Sequence, residues 1–378
     1  MPLETPPLSL YVHLPWCVRK CPYCDFNSHE NGDPPEQAYL AALLEDLDAE
    51  VQAAQGRRVE TLFFGGGTPS LMSGDFYRRL LTELRARLDF APDCEITLEA
   101  NPGTLEQGRF AEFREAGINR LSIGVQSFHP EHLQALGRIH GADEARQAVA
   151  AARQAGFDDF NLDLMHGLPG QTPEQARADL DAAIELEPAH ISWYELTIEP
   201  NTAFYSAPPE RPDEDRLADI EETGLARLAE AGYGRYEISA FARDGRPCRH
   251  NLNYWRFGDY LALGAGAHGK ISFPDEDRIL RYSKTRQPEH YLKAVGSRTR
   301  GRRELARDER PLEFVLNALR LVDGVPESLL EAHTGIRVET LRAPLNELRE
   351  EGLLDPDSNR LACTDLGLTH LNEVLARF

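Results

Sequence analysis

Short apolar runs of buried-strand length alternate from the N-terminus with longer segments whose apolar residues recur at helical spacing. The runs are Leu8 to His13, Val59 to Phe64, Glu95 to Glu99, Arg120 to Val125, Phe160 to Met165 and His190 to Leu196. The helical stretches are Gln37 to Ala54, Phe76 to Leu88, Leu105 to Ala116, Ala142 to Ala155, Pro173 to Leu186 and Asp213 to Glu230. Turn chemistry at Ser70 to Gly74, Asn101-Pro-Gly and Leu168-Pro-Gly marks where strands hand over to helices. The pattern predicts a parallel sheet with crossover helices. About six units fall short of the eight that close a TIM barrel. The fold class expected is therefore α/β, a partial (β/α)6 barrel that binds ligands at the C-terminal ends of its strands.

After about residue 235 the rhythm breaks into short apolar fragments, the segment Cys248 to Gly258 and a glycine-rich run from Gly264 to Gly269. Asp275 to Arg310 is dense in charge, with Arg298, Arg300, Arg302, Arg303, Arg307 and Arg310, and reads as a surface linker. Helical patterning resumes at Pro311 to Val322, Pro326 to Ala332 and Val338 to Glu351, followed by a hairpin from Gly352 to Thr364 and a last helix to Arg377. Three helices and a wing resemble a winged-helix domain. The expected division is 1–235 for the barrel, 236–305 for the middle segment and linker, and 306–378 for the C-terminal domain.

A chain of 378 residues with 41% hydrophobic and 27% charged residues can bury a large core, which excludes a wholly disordered protein. Its 62 acidic against 41 basic residues leave a net charge of −21, a field that repels phosphodiester backbones. The helix in the recognition position adds Glu339, Glu347, Glu350 and Glu351 against Arg337, Arg342 and Arg349, so no nucleic-acid partner is expected. No apolar run is long enough to span a bilayer, and the first residues lack the basic and apolar regions of a signal peptide, so a cytoplasmic protein is expected. Three of the six cysteines lie close together and the rest stand alone at Cys94, Cys248 and Cys363. In a reducing compartment such clustering points to metal rather than to disulfides.

The cluster is Cys17-Val-Arg-Lys-Cys21-Pro-Tyr-Cys24, a C-x3-C-x2-C array directly after the first strand. Three thiolates can hold three irons of a cubane [4Fe-4S] cluster and leave the fourth iron open. Zinc is the competing reading, although a structural zinc site wants a fourth ligand, such as His29 or a distant residue. Plain structural cysteines are the third. One βα unit later, Gly65-Gly-Gly-Thr-Pro-Ser70 ends the second strand with a backbone that a ligand can approach closely. Glu99, Gln126 and Asp163 are polar at or near the ends of the following strands, where a cap or a buried hydrogen bond would equally account for each alone.

This array of motifs resembles the radical S-adenosylmethionine (SAM) superfamily, and within it the branch of oxygen-independent coproporphyrinogen III oxidases and haem chaperones. The resemblance runs over nearly the whole chain. It implies that Cys17, Cys21 and Cys24 hold a [4Fe-4S] cluster whose open iron takes SAM. It also implies that Tyr11, Gly66, Gly67, Thr68, Glu99, Gln126, Arg138 and Asp163 line the SAM site, with Tyr23 packed by the cluster.

Within that branch the oxidase carries a further cysteine where this chain has Phe26, and a longer arm before the first strand. His250-Asn-Leu-Asn-Tyr-Trp255 instead matches the HNxxYW motif of the haem chaperones. An imidazole can ligate haem iron, and Tyr254 and Trp255 can cover a porphyrin face. A structural histidine is the competing reading of His250. Cys248 reads as a buried thiol or a second soft ligand, Cys94 and Cys363 as structural, and His166 as either catalytic or scaffold. The function expected is a haem chaperone that delivers haem to acceptor proteins without oxidising coproporphyrinogen. The alternative is a radical SAM enzyme that decarboxylates coproporphyrinogen III or a related tetrapyrrole. By the same resemblance the acceptors include respiratory membrane enzymes, which would put the protein at the membrane periphery; monomer and homodimer both stay open.

Overall fold

In the computed structural model, which describes residues 2–103, 108–243 and 245–378, six consecutive strands each run parallel to the next. They are β1 (Leu8–Leu14), β2 (Val59–Gly66), β3 (Phe90–Ala100), β4 (Arg120–Gln126), β5 (Phe160–His166) and β6 (His190–Glu195). The crossover helices are α1 (Glu36–Glu50), α2 (Gly74–Arg87), α3 (Phe110–Ala116), α4 (Ala142–Gln154) and α5 (Pro173–Glu185), and α6 (Glu214–Glu230) follows β6. Of the helix expected from Leu105, residues 105–107 lie outside the described residues.

Local chemistry sets the starts of these helices. The Ser73 hydroxyl accepts from the Phe76 N–H at the head of α2, and Thr172 with Gln175 forms a capping box before Pro173 opens α5.

The strands are buried on both sides, yet they alternate. Leu10, Val12, Leu62, Phe64, Ile96, Leu98, Leu121, Ile123, Leu162 and Ile191 face the helices and form the main core. The intervening residues, among them Ser9, His13, Thr61, Glu95, Thr97, Ser122, Asn161 and His190, are polar and buried on the inner face. That inner face is a hydrogen-bonded layer: the Asn161 amide donates to Ser122 Oγ and Asp163 Oδ1, both at 2.8 Å, and its oxygen meets His190 Nδ1 at 2.7 Å.

Beyond the six parallel strands the sheet continues on both sides without closing. Next to β6 lie β8 (Ala240–Ala242) and β7 (Gly234–Glu237), both antiparallel. Next to β1 lies β9 (Asp259–Leu263), parallel to it, then the antiparallel β10 (His268–Phe273), β11 (Arg278–Lys284) and β12 (Thr299–Glu304). The order is β12-β11-β10-β9-β1-β2-β3-β4-β5-β6-β8-β7.

The charged segment expected as a linker is therefore two sheet strands joined by a short helix, Pro288–Lys293. The charges that it buries are paired: Lys284 reaches Asp46 and Glu50 of α1, each at 2.6 Å, and Arg298 reaches Glu45 at 2.8 Å, while Arg300, Arg302, Arg303 and Arg307 stay exposed. Charge density in the sequence cannot distinguish a solvated run from one whose partners sit more than two hundred residues away.

α7 (Arg249–Trp255) bridges the sheet to a second core. Leu252 and Trp255 pack on a cluster formed by Phe314, Leu330, Leu345, Leu348 and their neighbours. These come from α8 (Arg310–Ala318), α9 (Glu327–Thr334) and α10 (Arg342–Glu350). Val325–Pro326 pairs with Arg360–Leu361, and Leu354 bridges Cys363, so the C-terminal unit is helical with a short wing. The expected last helix is broken into Asp365–Thr369 and Leu371–Leu375. Among the described residues no helix is long and apolar enough to cross a membrane.

Candidate functional site

Every parallel strand of the barrel ends on one side, and there two cavities meet. The smaller, about 280 Å³, is lined by Cys17, Cys21, Cys24 and Tyr23 from the loop after β1, by Gly66, Gly67 and Thr68 after β2, and by Glu99, Gln126, Arg138 and Asp163. Residues from well-separated parts of the sequence converge here because parallel strands bring their C-terminal ends to one edge. Tyr11 lies one step away, in the wall of the adjoining cavity.

The cysteine loop is clamped at its base by the parallel pairing of Trp16 with His29 and Cys17 with Glu30. Lys20 Nζ ties it internally to the carbonyls of Phe26, at 3.1 Å, and Ser28, at 3.3 Å. The glycine segment is stitched to the same loop: Gly67 N–H donates to Leu14 O and Thr68 N–H to Trp16 O, both at 2.7 Å. A Cβ on Gly67 would lie 2.5 Å from the Trp16 carbonyl oxygen, and Gly66 has φ +119°, so both positions require glycine. Burial raises the thiols of Cys17 and Cys24 above their ordinary value. The Arg138 guanidinium donates to Cys21 Sγ at 3.6 Å while it holds Asn101 Oδ1 at 2.9 Å and Gly124 O.

The polar strand ends are set by backbone irregularity as well as by sequence. The β4–β5 register shifts between Gly124 and Gln126, and Gln126 has φ +69°. This bulge turns the Gln126 amide into the cavity, where Tyr194 OH donates to its oxygen at 2.8 Å. Glu99 accepts from Gly66 N–H at 3.1 Å; burial and then the neighbouring Asp163 charge push its carboxyl up to about 8. Asp163 is likewise raised by burial, although hydrogen bonds from Ser122 and Asn161 favour its charged form.

The larger cavity, about 580 Å³, adjoins the first across Phe26, Gly66 and Glu99, which line both. Its volume is within the range of about 300–1,000 Å³ usual for organic ligands. Aromatic walls come from Tyr254, Trp255, Phe257 and Tyr260, and charge from Asp25, Lys270, Arg281 and Arg286. Lys270 is committed to Asp259 at 2.8 Å, and Arg281 to Tyr260 OH at 2.6 Å and to Glu313. Sequence reasoning missed this wall from β10 and β11. The one signal for it was the glycine-rich run, since Gly266, at φ +86°, leaves room for the Asn27 amide that bonds Ala265 O at 2.9 Å. It also missed Asn101, Ser122 and Tyr194 in the smaller cavity.

Of the HNxxYW residues, Tyr254 and Trp255 reach the larger cavity, and Tyr254 and His250 reach a smaller polar one inside the barrel. His250 is 1% exposed and stacks on Phe63; its Nδ1 lies 2.7 Å from Thr61 Oγ1 and its Nε2 2.8 Å from Tyr254 OH. Burial lowers it to about 3, so it is a neutral ring with both nitrogens engaged. Cys248 is buried with its Sγ 3.6 Å from Glu95 Oε1 and its thiol pushed up to about 12, as an inert thiol would be. His166 packs against Trp193, with ring centroids 4.1 Å apart and the planes tilted by 34°, and lines neither cavity. Cys94 and Cys363 are buried within the two cores.

Residues 11–183 match the radical SAM superfamily, and residues 305–370 the HemN C-terminal domain. The chain is 52% identical to the haem chaperone HemW of Escherichia coli (strain K12), with 100% of this chain and 99% of that protein covered. It is 35% identical to the HemW of Mycobacterium tuberculosis (strain ATCC 25618 / H37Rv), covering 97% and 93%. Against the mitochondrial radical S-adenosyl methionine domain-containing protein 1 of Bos taurus the identity is also 35%, covering 97% and 86%. Among solved structures, coproporphyrinogen III oxidase (HemN) from Escherichia coli, a radical SAM enzyme, superposes with a TM-score of 0.82 at 26% identity, covering 99% of this chain and 90% of that one.

Proposed function

Because the chain belongs to the HemW family of haem chaperones within the radical SAM superfamily, we propose that it binds haem in the larger cavity and passes it to acceptor proteins. In the same reading Cys17, Cys21 and Cys24 hold a [4Fe-4S] cluster, and SAM occupies the smaller cavity. The observation that carries the proposal is the adjacency of two unlike cavities. One holds three thiols with polar strand ends, and the other is wide, aromatic and edged by arginines.

The donor sets fit the groups. Three free thiols on one clamped loop supply three iron ligands, with Arg138 beside Cys21. Such a cluster would supply an iron without a protein ligand, to which SAM would bind. Around it Gly66, Gly67 and Thr68 present close backbone, Asp163 and Gln126 present acceptors for hydroxyl and amino groups, and Glu99 offers a carboxyl that can hold its proton near neutrality. In the larger cavity Tyr254, Trp255 and Phe257 offer flat apolar cover to a tetrapyrrole, and Arg286 offers a partner for a carboxylate.

The open rim suits cargo that must leave again. All six cysteines are free, the state a reducing cytoplasm maintains, and we place the protein there with respiratory membrane enzymes as acceptors. The deciding experiment is a spectroscopic haem titration beside a coproporphyrinogen III turnover assay, both on anaerobically reconstituted protein. The expected result is about one haem bound per chain, passed on to an apo-acceptor, with no decarboxylation in the presence of SAM and reductant. Catalytic SAM-dependent decarboxylation without specific haem binding overturns the reading in favour of an oxidase.

A further inference from the structure

A haem in the larger cavity needs a donor atom with a free lone pair at the cavity wall, and the tyrosines there, Tyr11, Tyr254 and Tyr260, have their hydroxyls engaged by His13, His250 and Arg281. His250 does not meet that need. Its ring is closed between Thr61 and Tyr254 and lines the inner polar cavity instead. Freeing Nε2 would leave the Tyr254 hydroxyl without its partner.

His13, in the wall of the larger cavity, is closed in the same way, with Nδ1 3.0 Å from Tyr11 OH and Nε2 2.9 Å from Asn27 O. The remaining imidazole in that wall belongs to His268. It opens β10, is exposed, and its ring makes no hydrogen bond to any described residue.

Strand geometry explains why His268 faces the cavity. Side chains two apart share a face, so His268 and Lys270 lie together. Their partners across the ladders are Ser283, Arg281 and Tyr260, and of these both Arg281 and Tyr260 line the same cavity. Arg286 continues that wall just past the end of β11. Its guanidinium is exposed and has neither a hydrogen bond nor an ion pair among the described residues. Asn27 fixes its backbone by donating to Arg286 O at 2.8 Å, which anchors the wall to the cysteine loop.

We propose that His268, rather than His250, gives its ring nitrogen to the haem iron in the larger cavity, and that Arg286 pairs with a haem propionate. The assignment rests on the haem reading above and adds the residues that hold the cargo. In it His250 is a positioning residue, setting Tyr254 as part of the aromatic wall. An exposed histidine at the rim also suits delivery, because an acceptor's own ligand can reach the iron from outside without unfolding the barrel.

The test is a ferric haem titration of the full-length protein and its His268→Ala, His268→Gly and His250→Ala variants, followed by Soret position, electron paramagnetic resonance and thermal melting. Wild type is expected to bind haem with a nitrogen-ligand signature. His268→Ala is expected to melt as wild type does, to lose that signature and to weaken haem roughly tenfold or more. Imidazole added to His268→Gly is expected to restore the signature. His250→Ala is expected to melt lower while keeping the signature.

An unchanged spectrum and affinity in His268→Ala overturns the assignment, whatever His250→Ala does. If both variants lose the signature, rescue by imidazole in His268→Gly supports the assignment and its absence overturns it. Failure of the wild-type protein to bind haem specifically is a different result, which removes the haem reading itself.

Discussion

The two cavities meet at Glu99 and Gly66 yet are assembled in opposite ways. The smaller is made of short contiguous motifs, each carried on the end of a parallel strand, so that the fold has only to bring the ends together. The larger shares the ends of β1 and β2 and the cysteine loop with the first, and its other wall is made of single residues from α7, β9, β10 and β11, elements that reach the barrel after residue 240 and mostly by antiparallel pairing. On the proposed function this difference has a physical sense: a chelated cofactor demands close backbone and fixed charges, which compact motifs provide, and a cargo demands width and an open rim, which an added sheet edge provides.

The sharpest break in the comparison comes from the cysteines. Changing Cys17, Cys21 or Cys24 to Ser is expected to abolish iron and sulfide binding in anaerobically reconstituted protein, while haem titration of the same variants stays close to wild type. Stoichiometric zinc in place of iron in protein purified without oxygen would show that the smaller cavity has been misread.

Next in size is Gly67→Ala, whose methyl would press on the Trp16 carbonyl. Backbone cannot yield as a side-chain tip can, and a cost of about 1–3 kcal/mol is expected. The variant should melt several degrees lower and bind SAM weakly. An unchanged melting temperature would mean that the glycine segment is looser than its hydrogen bonds to Leu14 and Trp16 imply.

A smaller effect, confined to the other cavity, is expected of Arg286→Glu. Haem affinity should fall roughly five- to tenfold, the range of about 1–1.4 kcal/mol, with SAM binding by calorimetry unmoved. Equal losses of both ligands would erase the distinction between the cavities.

The finest test is at the shared wall. Glu99 is held at about 8 when folded against an ordinary value of 4.5, so between those values the folded protein binds the extra proton. Stability then falls as pH rises through that window and levels off above it. Glu99→Gln keeps the acceptor for Gly66 N–H without the charge. Its melting temperature should match wild type near pH 5 and exceed it by a few degrees at pH 8 to 9. A constant difference across that range would mean that Glu99 is ionised throughout.

The cysteine loop, the glycine segment and the polar strand ends were legible from the sequence because their chemistry is local. Three thiols within one loop, and Gly66 and Gly67 directly after a strand, stay grouped wherever the strand ends up. The alternation along the strands, Leu10 and Val12 against Ser9 and His13, likewise determined which face meets the helices and which is polar. Tertiary structure alone decided the rest. His250 looked available in HNxxYW, but folding places it between Thr61 and Tyr254, contacts from strand β2 and from the next turn of its own helix. The arginine-rich segment looked like a solvated linker until Asp46, Glu50 and Glu45 of α1 neutralised Lys284 and Arg298 and let two strands join the sheet. Whether a charge is buried or a lone pair is free depends on partners distant in the chain, and those partners are known only once the sheet order has brought them into contact.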